Sequence, residues 1–508
     1  MAPKEIAPTA STEHADQDTA QRKPTIIQGG MGVAVSDWRL ARSVALTGQM
    51  GVVSGTAMDT VLARRLQNGD LDGKMRHALA EFPDPKMAKK IIDRYYIEGG
   101  KSADTPYKAT PVVSQKPTRD QLELVVAANF VEVFLAKEDH DGLVGVNFLE
   151  KIQTPTLASL YGAMLAGVDY VLMGAGIPRH IPGVLDRLAE GEKVEYPLHV
   201  LDAHADEPVV TTFDPMEFGE GDIPWINRPK FLAIVSSATL ASMLAKKSNG
   251  RIDGFIVEGA SAGGHNAPPR GKMKLNEKGE PVYGKRDAVD LDAIAAIGLP
   301  FWLAGSYGTP DAVQRALATG ASGVQVGTAF AFSNESGLLP EIKRDVIERC
   351  RNGSIEVHTD PLASPTGFPF KVLRKRGTVS EESVYQQRRR VCDLGFLRQA
   401  YRREDGSTGW RCPGEPVQSF VAQGGEESAC EGRKCICNGL VANIGLGQTR
   451  RDGTTEPAIV TCGDDVKSIL QFLATPEANE YSAPQVVRHL LSAASPQETS
   501  QSSAMVAV

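Results

Sequence analysis

From Pro24 to about Pro340 the sequence alternates short, almost uninterrupted apolar runs with longer segments of helical period. Few architectures accept that rhythm. The strand-like runs are TIIQGG (25–30), MGVVSG (50–55), LVGVNF (143–148), YVLMG (170–174), FLAIVS (231–236), GFIVEG (254–259), FWLAGS (301–306) and GVQVGTAF (323–330). Most are nearly continuous in Val, Ile, Leu and Phe, the pattern of parallel strands buried on both faces. Between them sit helical segments such as TPTLASLYGAMLAG, ATLASMLAKK and TPDAVQRALATG. The last opens with Thr309 as N-cap and Pro310 in the first turn, and closes on Gly320. The alternation implies an α/β fold, and eight strand candidates imply a (β/α)8 TIM barrel; period alone leaves an open doubly wound sheet as the alternative.

The barrel is expected over residues 24–345, with a mostly helical insert at about 60–140 and a hairpin insert at YPLHVLDA (196–203) followed by VVTTF. Beyond about Pro340 the rhythm stops. Residues 346–494 form a Cys-containing, loop-rich C-terminal extension with a closing helix at VKSILQFLA, and 1–23 and 495–508 read as polar, disordered tails. The 42% hydrophobic and 23% charged residues are ordinary for a globular chain. A net charge of −7 argues against nucleic acid or anionic lipid as the main partner. No apolar run reaches the roughly 18 residues of a membrane span, and residues 1–23 lack the apolar stretch of a secretory signal. All seven cysteines lie at or after Cys350, an odd count that suits reduced thiols and a cytoplasmic location.

Barrel enzymes place their chemistry at the carboxyl ends of the strands. Four of those ends are glycine-rich here: IIQGGMG, IVEGASAGGHNAPPRG, LAGSYG and VQVGTAF. The last two follow successive strands, so Gly305 and Ser306 with Gly327 and Thr328 form a candidate phosphate cradle, or simply tight corners. His265 is the one histidine among these strand ends, after a backbone of small residues that a ligand can approach. Asn147 is a polar residue where a strand should stay apolar, a candidate to hydrogen-bond the edge of a bound ring or to cap a turn; Glu258 ends another strand, either a candidate to face such a ring or a barrel-rim carboxylate.

IIQGGMG, GVNF, VEGASAGGH and LAGSYGTPDAVQRALATGASGVQVGTAFAFS with the following Glu335 together resemble the nitronate monooxygenase family, over about residues 24–340 without the two inserts. The resemblance implies a TIM barrel with non-covalent FMN. Gln28, Gly29, Gly30 and Met31 would line the isoalloxazine, and Asn147 would contact the ring. Gly264, Gly305, Ser306, Gly327 and Thr328 would hold its edge and phosphate, and His265 would be the base. It also implies O2-dependent oxidation of an alkyl nitronate to a carbonyl compound and nitrite, with a small-molecule substrate and O2 as partners; a homo-oligomer is left open. The loop HNAPPRGKMKLNEKGEPVYGKRD departs from the family's better-known members. FLAIVSSATLASMLAKK and VEG also resemble FMN-dependent enoyl thioester reductases of the same superfamily, so NAD(P)H-dependent reduction of an enoyl thioester or quinone is the alternative.

In the extension, Cys392, Cys412, Cys435 and Cys437 lie among Gly, Pro, Asn and basic residues. Four thiols in such loops are a candidate structural Zn site or iron–sulfur cluster, although C-x-C fits no standard spacing. Four unrelated buried thiols are the alternative.

Overall fold

The eight apolar runs are all strands. The computed structural model describes residues 23–203, 208–221 and 224–492, so both expected tails fall outside the described residues, apart from Lys23. The strands are β1 (Ile26–Gln28), β2 (Gly51–Ser54), β3 (Val144–Leu149), β4 (Tyr170–Gly174), β5 (Lys230–Val235), β6 (Gly254–Glu258), β7 (Phe301–Ala304) and β8 (Gly323–Val326). They pair in parallel in chain order, and β1 pairs with β8. A parallel bridge between Ile27 and Met50 joins β1 to the start of β2. There Gln28 N donates to Met50 O at 2.9 Å and Met50 N to Ile26 O at 3.1 Å, which closes the barrel.

Both faces of the sheet are buried, as the continuous apolar runs require. Ile27, Met50, Val52, Leu172, Leu232, Ile256 and Trp302 fill the barrel interior. Trp302 is 1% exposed, and its indole N–H donates to Pro24 O at 2.8 Å, so the largest side chain of this layer keeps its polar atom satisfied. The alternate residues, among them Ile26, Val53, Val146, Phe231, Phe255 and Leu303, face the surrounding helices. Helix Pro310–Ala318 starts as expected, with Thr309 Oγ1 accepting from Ala312 N at 3.3 Å. The run ending at Phe330 is shorter as a strand than its sequence suggests, because Thr328–Ala331 turns into a short helix.

The insert is helical, with helices Met58–Gln67, Lys74–Ala80, Pro85–Tyr95 and Arg119–Lys137. The hairpin is present as Val194–Pro197 against Val210–Phe213. Val200–Leu201, however, pairs with Gln399–Arg402 of the extension.

The extension is not a separate body. Val460, Cys462, Ile469, Tyr481 and Val486 share one continuous core with the outer face of the barrel. A second cluster, including Ile152, Ala363, Phe370, Leu397, Ile436 and Ile459, joins the extension to the residues just after β3. Strands β9 (Val357–Asp360) and β10 (Phe370–Leu373) form an antiparallel hairpin there. The closing α-helix is Ala483–Leu491, with a capping box from Ser482 and Gln485, whereas VKSILQFLA holds only a 3-10 helix, Val466–Phe472.

Candidate active site

The carboxyl ends of the strands open into a cavity that the extension covers. Strand register decides its floor. Gln325 lies beside Ile27 and Ala304, Glu258 beside Ala304, and Asn147 beside Leu172. Residues in register on parallel strands share a face, and Ile27, Ala304 and Leu172 point inward. Asn147, Glu258 and Gln325 therefore end the barrel interior as a polar layer, and all three line the cavity.

The same alternation corrects one expectation. Gln28 follows the inward Ile27 and so points outward; it is fully buried and does not line the cavity. Its amide oxygen accepts from Val52 N at 3.0 Å, and its nitrogen donates to Ser36 Oγ at 2.8 Å and to Gly29 O. It braces the β1 loop from behind. Gly29, Gly30 and Met31 form one wall of the cavity. A Cβ on Gly30 would overlap Asn147 and meet Val52 Cγ1 at 3.2 Å, so glycine is required where the wall meets the floor.

Gly264, His265, Gly305, Ser306, Gly327 and Thr328 also line the cavity. Ser306 holds a left-handed φ of +59°, an unusual conformation at a loop the sequence marks for ligand contact. The segment 461–465 closes over the proposed cradle. Gly463 N donates to Thr328 Oγ1 at 2.8 Å, and the carboxyl of Asp465, close to Gly308, is raised above the usual range by burial. A Cβ on the neighbouring Gly263 would lie 2.8 Å from the Cys462 carbonyl carbon, so this lid approaches the β6 loop as closely as backbone can.

His265 is held by the extension. Its Nε2 lies 2.7 Å from Ser364 Oγ, and its ring stands edge-on to Phe370 at 4.8 Å between centroids. Backbone pairing fixes the loop: Asn266 N donates to Pro369 O and Lys371 N to Gly264 O, both at 2.9 Å, and Gly264 N donates to Thr461 Oγ1 at 2.8 Å. Burial, and then the positive charge of Lys151, push the imidazole down to about 4, so it is neutral at physiological pH. Burial alone pushes Glu258 up to about 7, and no ion-pair or hydrogen-bond partner meets its carboxyl among the described residues.

Gln325, Ser364 and Phe370 were not singled out from sequence. Inward alternation along GVQV marks Gln325, and its Oε1 is buried without a hydrogen-bond partner. Such an acceptor costs about 1–3 kcal/mol unless a ligand N–H meets it. An orphaned acceptor, a carboxyl and an amide on the floor beside a glycine wall suit a flat heteroaromatic ring with alternating N–H and C=O groups, and so fit a flavin.

The metal expectation finds no support. Among the described residues no group of three or more His, Cys, Asp or Glu side chains is placed to hold a metal. Cys392 and Cys412 interact, which lowers the first thiol and raises the second. Cys435 is the N-cap of helix Ile436–Ala442, with its sulfur 3.5 Å from Asn438 Nδ2, while Cys437 turns toward the cavity. Burial raises both of these last thiols. All seven cysteines are free. No helix among the described residues is long and apolar enough to cross a membrane.

Residues 225–360 match the family model described as nitronate monooxygenase. A probable nitronate monooxygenase of Bacillus subtilis (strain 168) is 34% identical over 115 residues, which cover 23% of this chain and 31% of that protein. The (3aS,4S,5R,7aS)-5-hydroxy-7a-methyl-1-oxo-octahydro-1H-indene-4-carboxyl-CoA dehydrogenase of Mycobacterium tuberculosis is 27% identical over 141 residues, covering 28% of this chain and 35% of that protein. The matches thus span about a third of these curated relatives' length. The solved nitroalkane oxidase of Streptomyces ansochromogenes is 15% identical with a TM-score of 0.46, over 94% of this chain and 98% of that one.

Proposed function

We propose that this chain, which carries a nitronate monooxygenase family segment over residues 225–360, is an FMN-dependent oxidoreductase that uses O2 to convert alkyl nitronates to a carbonyl compound and nitrite. The observation that carries the proposal is the meeting of His265, the 29–31 glycine wall and the polar floor in one cavity, with His265 inside the family-matched segment. Bound there, FMN supplies the redox chemistry that couples substrate oxidation to O2. Gly29, Gly30 and Met31 would take the ring face, and Asn147, Glu258 and Gln325 its polar edge. Gly264, Gly305, Ser306, Gly327 and Thr328 would take the remaining edge and the phosphate. The roof, with Phe370 and Leu440 over the cavity, excludes water from the reacting face. A cytoplasmic setting accords with seven unpaired thiols.

A nitronate is already an anion, so its oxidation needs no proton abstraction, whereas a neutral nitroalkane must first lose its α-proton. An imidazole held near 4 is a poor match for that task. FMN-loaded protein should therefore release nitrite and consume O2 faster with propyl-2-nitronate than with 2-nitropropane. His265→Ala should keep FMN and lose turnover on the order of 10²-fold. Absence of nitrite from both substrates would remove the proposed activity.

A second function is favoured by one observation. Ile152, Phe370, Phe396, Leu397, Ile436 and Leu440 give the cavity an apolar arm larger than a short nitronate needs. With a relative named as a carboxyl-CoA dehydrogenase, that arm supports NAD(P)H-dependent reduction of an enoyl thioester or quinone. NADPH oxidation that requires an enoyl thioester would select this alternative.

A further inference from the structure

Two hydroxyls stand in line behind the His265 ring. Ser364 is fully buried, and Arg433 anchors its loop by donating to Ser364 O at 2.6 Å and Leu362 O at 2.8 Å. Ser364 Oγ lies 2.7 Å from His265 Nε2 and 2.9 Å from Thr366 Oγ1, and it accepts from Thr366 N at 3.3 Å. Thr366 Oγ1 in turn accepts from Phe368 N at 3.4 Å.

Each hydroxyl has one hydrogen to place. If His265 donates to Ser364, the Ser364 hydrogen goes to Thr366, and the Thr366 hydrogen finds no acceptor among the described residues. If the chain runs the other way, Thr366 donates to Ser364 and Ser364 donates to His265 Nε2. Both hydroxyl hydrogens are then used. The ring proton then sits on Nδ1; each direction leaves one donor without a partner among the described residues, but this one leaves it on a side chain that lines the cavity, where a substrate oxygen can accept it.

We propose that Ser364, oriented by Thr366, is a positioning residue that fixes His265 as the Nδ1–H tautomer, so that the ring presents a hydrogen-bond donor rather than a base to a substrate oxygen. This rests on the assignment of His265 to the flavin-dependent reaction. A donor in a water-poor site stabilises negative charge on a nitronate or carbonyl oxygen without itself becoming charged. The surrounding charges agree with a neutral ring. Lys151, whose ammonium lies 4.9 Å from the Phe368 ring centre, opposes an imidazolium. Glu258 and Asp465, the carboxyls of the cavity lining, are both biased toward their neutral forms by burial. The edge-on Phe370 ring and the His265–Phe370 backbone bridge limit ring flipping.

The test is 15N NMR of the full chain labelled at histidine, with His265→Asn used to assign the signal. The expected spectrum is that of a neutral ring protonated at Nδ1 from pH 5 to 8. Ser364→Ala should shift it toward a tautomer mixture, lower kcat about tenfold, and leave the KM for nitronate nearly unchanged, a smaller loss than removing the donor itself. Thr366→Val, at a half-buried position, keeps the Ser364 hydroxyl but frees its direction, and should produce an intermediate spectrum even if Ser364→Ala folds poorly. A proton on Nε2 in the unmodified protein, or identical spectra for all three proteins, would overturn the proposal. The readout needs no turnover, so loss of flavin binding or nitronate oxidation would refute the proposed function separately.

Discussion

Glu258 stands on the cavity floor without a cation beside it, and that isolation has a measurable consequence. Its carboxyl is pushed up to about 7 in the folded chain, against about 4.3 when unfolded. Between those values the folded state binds the extra proton, so its contribution to stability is present at low pH and is lost as pH rises through about 7. Glu258→Gln, neutral throughout, should gain on the order of 2–3 kcal/mol over the unmodified chain between pH 4 and pH 8. Urea titrations of flavin-free protein across that range measure it, and parallel pH profiles would contradict it. Glu258, Asn147 and His265 were legible in the sequence because polar residues at the ends of apolar strands stand out. Gln28, placed at the ring by the family resemblance, misled because the pleat turns it outward. Gln325 needed the same parity reasoning in the other direction. Ser364 was out of reach: its role depends on a loop 99 positions from His265 folding back against it.

At the scale of elements, the barrel strands were readable because burial on both faces leaves a continuous apolar run. The extension was not, because its elements are short and stabilised by contacts distant in sequence. A buried ionic group shows how. Glu456 is paired with Arg388 Nε at 2.8 Å and with Arg450, and Arg450 pairs with Asp393 at 2.7 Å. Arg388 and Glu456 have side chains 7% and 3% exposed. Glu456→Ala would leave the Arg388 guanidinium buried without its carboxylate, at a cost of about 3–5 kcal/mol. A lowered unfolding temperature and weaker FMN retention are expected, since Asp393 of this group accepts from Asn438 Nδ2 at 2.7 Å on the helix Ile436–Ala442, which presents Ile436, Cys437 and Leu440 to the cavity. An unchanged unfolding temperature would show that the group carries no such load. The hairpin insert illustrates the same limit: its two strands were visible, but not the pairing of Val200–Leu201 with Gln399–Arg402.

For the whole molecule, the barrel supplies the floor and glycine walls, and the extension supplies the roof and the group that holds His265. The family-matched segment, 225–360, runs from just before β5 through β9. It ends four residues before Ser364, so most of the roof lies outside the matched segment. Substrate range is therefore expected to follow the roof, while cofactor use follows the barrel. The most direct test is to mix the FMN-loaded protein anaerobically with propyl-2-nitronate or with NADPH and follow the flavin absorbance. Rapid bleaching by the nitronate alone, reversed on admitting O2, is expected. Failure to bind FMN, or bleaching by NADPH with none by the nitronate, would contradict the nitronate-oxidising account.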